Sequence, residues 1–294
     1  MTSAPATGAY IGTVPELPEV EITARLLDRA LAGAQIESAL APGINALKTI
    51  DPPLSQLAGA RIERVRRRGK HLIVDIAGGL SLLIHLMSAG RLQLYDKRAG
   101  PRDRTSRLLL RLADGRELRL REFGSRQAAW VKLLPTPDLE QDPALATLGP
   151  EAWPDPPPLG ELLDAPRPLH ALLRDQHAIA GIGRSWVDEI LWEARLSPYK
   201  RGADLDLGER RRLEAAIRTT LDAALTHYEE VVQLPIPDKL PMPLRVHRHE
   251  GEPCPRCGEQ LRSVYFEDYV IAYCPRCQTG GRVLKDRRLS RLLR

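Results

Sequence analysis

The chain has 294 residues, a formal net charge of +5 and few aromatic side chains, 4%; it is long enough for two hydrophobic cores and modestly basic. That charge points to an anionic partner without naming it, since basic surfaces also meet membranes and acidic proteins. No apolar run is long enough to cross a bilayer, and the opening MTSAPATGAY lacks the charged-then-apolar order of a secretory signal, so a cytoplasmic protein without a membrane partner is expected.

Between Glu16 and Ala32, Val20, Ala24, Leu27 and Leu31 recur at helical spacing, with Pro18 suited to a first turn and Gly33 to a stop. Strands follow. HLIVDI, LSLLIHL and RLQLY are short and aliphatic, and SRLLLRLADGRELRLREFG reads as two alternating strands joined at Asp114–Gly115. One helix and a succession of strands predict a β-sandwich over residues 15–135. Residues 136–168, with WPDPPPLG, read as a proline-rich extended linker. LHALLRDQ, RSWVDEILWEARL and LGERRRLEAAIRTTLDAALTHYEEV predict a helical domain over 169–244. PIPDKLPMP then leads into a cysteine segment at 245–280 and a basic tail at 281–294, and no internal repeat is present.

All four cysteines lie in that one segment, as Cys254-Pro-Arg-Cys257 and Cys274-Pro-Arg-Cys277. Disulfide scaffolds spread cysteines along a chain, whereas metal sites cluster them. The YFEDYVIAYC stretch between the pairs is suited to a hairpin, so four thiolates are expected to converge on one structural Zn²⁺ with no open position. A redox role for either pair is the alternative. In IAGIGRSWVDEILW, Gly181 and Gly183 form a tight turn before a helix whose first amides suit a phosphate, although a plain interhelical turn has the same signature. RVRRRGKHLIV places five cations in seven residues, ending at Lys70. That is a solvated loop on the plain reading, or a phosphate contact beside nucleic acid.

In order along the chain, PELPEVE, the lysine before a strand, HLMSAG, REFG, the GIG helix start and the two CxxC pairs resemble the formamidopyrimidine-DNA glycosylase and endonuclease VIII family. The resemblance runs from Pro15 to about Gln278. It implies an α+β multidomain fold: an N-terminal β-sandwich with an early helix, a C-terminal helical domain with a helix–two-turn–helix, and a zinc-binding β-hairpin. It also implies a monomeric, nucleoid-associated DNA glycosylase with abasic-site lyase activity, acting on double-stranded DNA that contains damaged bases or abasic sites.

By position, the resemblance makes Pro15 the nucleophile, Glu16 the adjacent general acid/base and Lys70 a catalytic-site phosphate contact. Met87, Arg121 and Phe123 would fill the gap left by a flipped nucleotide, and Glu19 and Glu189 match further acidic positions near the DNA. The chain departs from the family pattern at several of its DNA-binding positions. Arg184 replaces an asparagine, His170 a lysine, Tyr269 a phosphate-binding arginine, and Glu122 the second arginine of an RRFG-like turn. Taken without the resemblance, Met87 and Phe123 read equally as core residues, and Glu19 and Glu189 as helix-surface charges.

An amine is needed for that chemistry, and a proline nitrogen inside a peptide bond is an amide. Residues 1–14 are therefore expected to be a leader absent from the working enzyme, with Val14 encoded by a GTG start codon. Cleavage of the leader, or DNA binding without cutting, are the other possibilities, and a zinc-stabilised interaction protein is the alternative from a different class.

Overall fold

The computed structural model describes residues 14–43, 45–100, 103–123, 127–266 and 269–286. The chain forms two compact units. The first gathers Pro15, Glu19–Asp142 and Val232–Pro241, and the second Glu16–Pro18, Pro143–Val231 and Met242 onward.

In the first unit, helix α1 (Leu17–Leu31) turns Val20, Ala24, Leu27 and Leu31 inward, as its spacing requires. Two four-stranded antiparallel sheets form the sandwich. One is ordered β1 (Ile36–Leu40), β6 (Ser106–Leu112), β7 (Glu117–Glu122) and β5 (Gly90–Tyr95). The other runs β2 (Ile62–Arg68), β3 (His71–Ile76), β4 (Leu80–His85) and β8 (Trp130–Pro135). Gly115 has the positive φ (93°) that the Asp114–Gly115 hairpin needs. The sandwich fits the sequence reading, with β1, β2 and β8 as additions.

The arginine run is a strand, not a loop. β2 pairs with β3 from Ile62↔Ile76 to Arg68↔His71, and Gly69 (φ 56°) and Lys70 make the two-residue turn. Arg64 and Arg66 both donate to Asp75, at 2.6 and 2.7 Å, and Arg67 donates to Glu21 at 2.9 Å. Local pattern could not show this, because the neutralising carboxylates come from another strand and from α1.

The second unit opens with short helices α2 (Pro143–Ala146) and α3 (Gly160–Leu163) inside what reads as an extended linker. Helices α4 (Leu169–Arg174), α5 (Arg184–Glu193) and α6 (Leu207–Val231) follow. Every α5 residue from Ser185 to Trp192 is buried, so this helix is the unit's centre. Strands β9 (Arg262–Phe266) and β10 (Tyr269–Tyr273) form the expected hairpin, and α7 (Pro275–Thr279) begins at the second cysteine pair. Among the described residues no helix is long and apolar enough to cross a membrane.

Candidate functional site

The GIG turn is explained by what lies against it. Gly181 holds φ +107°, and a Cβ there would collide with Leu17; a Cβ on Gly183 would collide with the Glu16 carboxyl group. Leu17 N–H donates to the Gly181 carbonyl at 3.0 Å. The Glu16 carboxylate accepts from the Ser185 N–H at 2.8 Å and the Trp186 N–H at 3.4 Å. These are the orphan donors of α5, and no side chain of its own caps that helix. The anion at this helix start is therefore a protein carboxylate from 169 residues earlier. Glu16 itself is buried, 2% exposed.

Further along α5, two consecutive acids face the interior. Glu189, 1% exposed, accepts from the N–H groups of Arg245, Val246 and His247 at 3.0, 2.9 and 2.9 Å. Burial pushes its carboxyl up, against the opposing pull of those three donors. It ties down the segment that leads to the cysteines. Asp188 accepts from the Ala272 N–H at 3.0 Å and meets His247 Nδ1 at 2.7 Å, with His170 Nε2 at 3.4 Å. His170 is 1% exposed, and burial holds it below the usual imidazole range. Its ring stacks on buried Tyr269, centroids 5.3 Å apart. Sequence reading missed Asp188 and His247; an acidic pair inside SWVDEILW, where the neighbours are apolar, was the available signal.

The four cysteine sulfurs lie within 4.8 Å of one another. Three of their separations are 3.9, 3.5 and 3.4 Å, close to the edge of roughly 3.8 Å that a tetrahedral zinc–thiolate centre requires. Trp192 Nε1–H donates to Cys254 Sγ at 3.3 Å, and the Cys277 N–H to Cys274 Sγ at 3.4 Å. Burial pushes the Cys274 and Cys277 thiols up. At Cys254 burial acts the same way, but hydrogen bonds led by Trp192 outweigh it and bring the thiol down to about 7. A set of four soft ligands with donors already turned toward the sulfurs fits one structural metal ion.

The first unit holds the remaining candidates. Pro15 and Glu19 line a small cleft together with Thr23, Leu86, Gln93 and Ile236. Gln93 donates to the Ile236 carbonyl and Arg91 to that of Asp238, both at 2.6 Å, so the proline-rich stretch Val232–Pro241 is pinned on β5. Lys70 sits half-buried at the β2–β3 turn. Met87 is 36% exposed, holds φ 50°, and donates its N–H to His85 Nδ1 at 3.0 Å. Arg121 is fixed before any ligand arrives: Nη1 donates to Tyr95 Oη at 2.7 Å, Nε to Thr105 Oγ1 at 3.1 Å, and Cζ lies 4.6 Å from the Phe123 ring centre. Glu122, where the family pattern has arginine, is buried and accepts from the Ala128 and Ala129 N–H groups at 2.7 and 2.9 Å. It closes a loop instead of presenting a cation.

The chain matches known proteins over most of its length. The formamidopyrimidine-DNA glycosylase N-terminal domain model matches residues 14–126, and the H2TH domain model of the same enzymes matches 159–235. A formamidopyrimidine-DNA glycosylase of Pelotomaculum thermopropionicum is 33% identical, covering 90% of this chain and 99% of its own length. One from Acidithiobacillus ferrooxidans is 30% identical over 90% of this chain and all of its own. Among solved structures, wild-type Lactococcus lactis Fpg in complex with N7-benzyl-Fapy-dG DNA superposes with a TM-score of 0.80 at 27% identity, covering 90% of this chain and 100% of that one. A complex of Lactococcus lactis Fpg with abasic-site DNA gives 0.80 at 25% identity, with 90% and 99% covered. With two domain models in the right order and near-complete coverage by relatives, the chain belongs to the formamidopyrimidine-DNA glycosylase family.

Proposed function

We propose that the chain excises oxidised bases from double-stranded DNA and then nicks the strand, using the nitrogen of Pro15 as nucleophile. The observation that carries this reading is the family match over residues 14–126, which includes Pro15, with Glu16, the next residue, anchored by its carboxylate on the first turn of α5. A secondary amine attacks the sugar C1′ of a flipped nucleotide as the glycosidic bond breaks, and the base leaves with that electron pair and a proton. The nitrogen then gives up its proton and its lone pair forms an iminium ion at C1′ as the C1′–O4′ bond breaks, the ring oxygen taking up a proton; the iminium makes the C2′ proton acidic. Loss of that proton expels the 3′-phosphate by β-elimination, and water hydrolyses the iminium to free the amine. Glu16 is the group that moves protons at the sugar, and Lys70 binds a phosphate beside it.

Met87, Arg121 and Phe123 are assigned to the gap in the duplex, Arg121 being held ready by Tyr95 and Thr105. Glu19 lines the Pro15 cleft, and Arg184 is a DNA contact. Glu189, His170 and Tyr269 are buried, so their part is to hold other groups in place. The four cysteines would bind one zinc ion, whose chemistry is to fold the hairpin and not to activate water.

Because the nitrogen must be an amine, the reading requires a chain whose first residue is Pro15. The α-amino pKa near 8 leaves a useful neutral fraction at pH 7. The test compares that chain with one retaining Val14 and the residues before it, on duplexes carrying an abasic site or an oxidised base. Nicking by the Pro15-first chain alone is expected. Nicking by neither, with DNA affinity intact, leaves the second reading, a damaged-DNA binder, which the Val14–Pro15 peptide bond favours.

A further inference from the structure

Three of the departures from the family pattern, His170, Arg184 and Tyr269, meet in the second unit around a fourth residue, Arg174 at the end of α4. The Arg174 guanidinium carbon lies 3.9 Å from the centre of the Tyr269 ring, and that of Arg184 lies 5.4 Å from it. The ring is 5% exposed and fixed by contacts with His170 (5.3 Å) and Phe266 (5.5 Å). Arg174 is half-buried, and its Nη1 is enclosed with no hydrogen-bond partner among the described residues. An open cleft lies beside it, lined by Arg167, Pro168, Arg174, Asp175, Phe266 and Tyr269. The carboxylate there is already engaged: Asp175 takes Arg167 at 2.8 Å and the His177 N–H at 3.1 Å. His170, buried and kept neutral, adds no charge, so Arg174 is the cation beside the ring on α4.

We propose that Arg174, stacked on Tyr269, is a contact for a backbone phosphate of the DNA, with Arg184 as the second cation of the same site. The proposal rests on the DNA-repair reading above. A guanidinium whose face lies on an aromatic ring keeps its edge N–H groups for an anion, and its fork suits two phosphate oxygens. Tyr269 cannot supply charge. It is a positioning residue, and the hairpin contributes the surface on which an arginine from α4 is oriented.

The experiment measures affinity of the full zinc-loaded chain for a duplex carrying a tetrahydrofuran abasic analogue, by fluorescence anisotropy from 50 to 300 mM salt. Each phosphate contact contributes about 0.9 to the slope of log affinity against log salt. Arg174→Gln is expected to lower the slope by about 0.9 and weaken binding on the order of 10-fold at 100 mM salt. Arg174→Lys should keep the slope and lose part of the affinity. Tyr269→Leu should reproduce Arg174→Gln, Tyr269→Phe should bind as the parent does, and the Arg174→Gln/Tyr269→Leu pair should be no worse than either alone. Thermal unfolding confirms that each variant is folded; if Tyr269→Leu is not, the Arg174 variants and Tyr269→Phe decide. An unchanged slope in Arg174→Gln, or a slope lost in Tyr269→Phe, overturns the site and leaves the repair reading standing. A parent chain with no salt-dependent affinity for the duplex overturns both.

Discussion

His71 and His85 face each other across the β3–β4 ladder with ring centroids 4.6 Å apart, and Trp130 stacks on His85 at 5.7 Å. Burial lowers the first to about 4, outweighing the Arg68 backbone hydrogen bond and Asp142, which act upward; Lys132 and Arg68 reinforce the fall. Burial, the neighbouring His71 and Lys70 lower the second to about 3. Unfolded histidine takes its proton near 6.5, so below that pH the unfolded chain binds more protons than the folded one. Stability is therefore expected to fall as pH drops from about 6.5 toward 4, by roughly 2 kcal/mol or more. Urea midpoints at pH 7, 5.5 and 4.5 check this, and His71→Leu should flatten the dependence. Met87 offers a second residue-scale prediction. Its left-handed backbone costs about 1 kcal/mol, close to the extra entropy that glycine loses on folding. Met87→Gly should leave stability within about 1 kcal/mol of the parent while strand nicking falls on the order of 10-fold, as loss of a contact worth about 1.4 kcal/mol would give. Nicking rates beside urea midpoints separate the two effects.

At the scale of elements, the helix start of α5 and the cysteine hairpin each make a claim about folding. Gly183→Ala should displace the Glu16 carboxylate from the Ser185 and Trp186 amides, costing about 1–3 kcal/mol and a larger share of nicking than of DNA affinity. Parallel unfolding, nicking and binding curves test this. Cys274→Ala, or chelation with metal loss confirmed, should unfold the β9–β10 hairpin and abolish DNA binding while the sandwich keeps its near-ultraviolet signal. The elements also differ in how visible they were beforehand. Helices α1, α5 and α6 carry their apolar spacing in their own residues, β6 and β7 their alternation and turn, and β3 to β5 their short aliphatic runs. β2 hides as a charge run because Asp75 and Glu21 answer its arginines from elsewhere. β8 is a half-buried strand that runs into a proline-rich stretch, and only Val131 and Leu133 of its residues are buried. Cys254, Cys257, Cys274 and Cys277 were legible as a set, since spacing alone brings them together.

For the whole molecule, the repair chemistry depends on one nitrogen being an amine. The family was readable from motif order, while the work done by individual residues was not: Glu16 capping a distant helix, Glu189 tying down 245–247 and Arg174 on the Tyr269 ring are all long-range relations. The most direct measurement is borohydride trapping of the Pro15-first chain on abasic-site DNA, with the cross-linked residue located by mass spectrometry of the digested adduct. A reduced, covalent link on the Pro15 nitrogen is expected, absent when Val14 precedes it. A link on a lysine, or no adduct from a chain that still binds the DNA, would contradict the account.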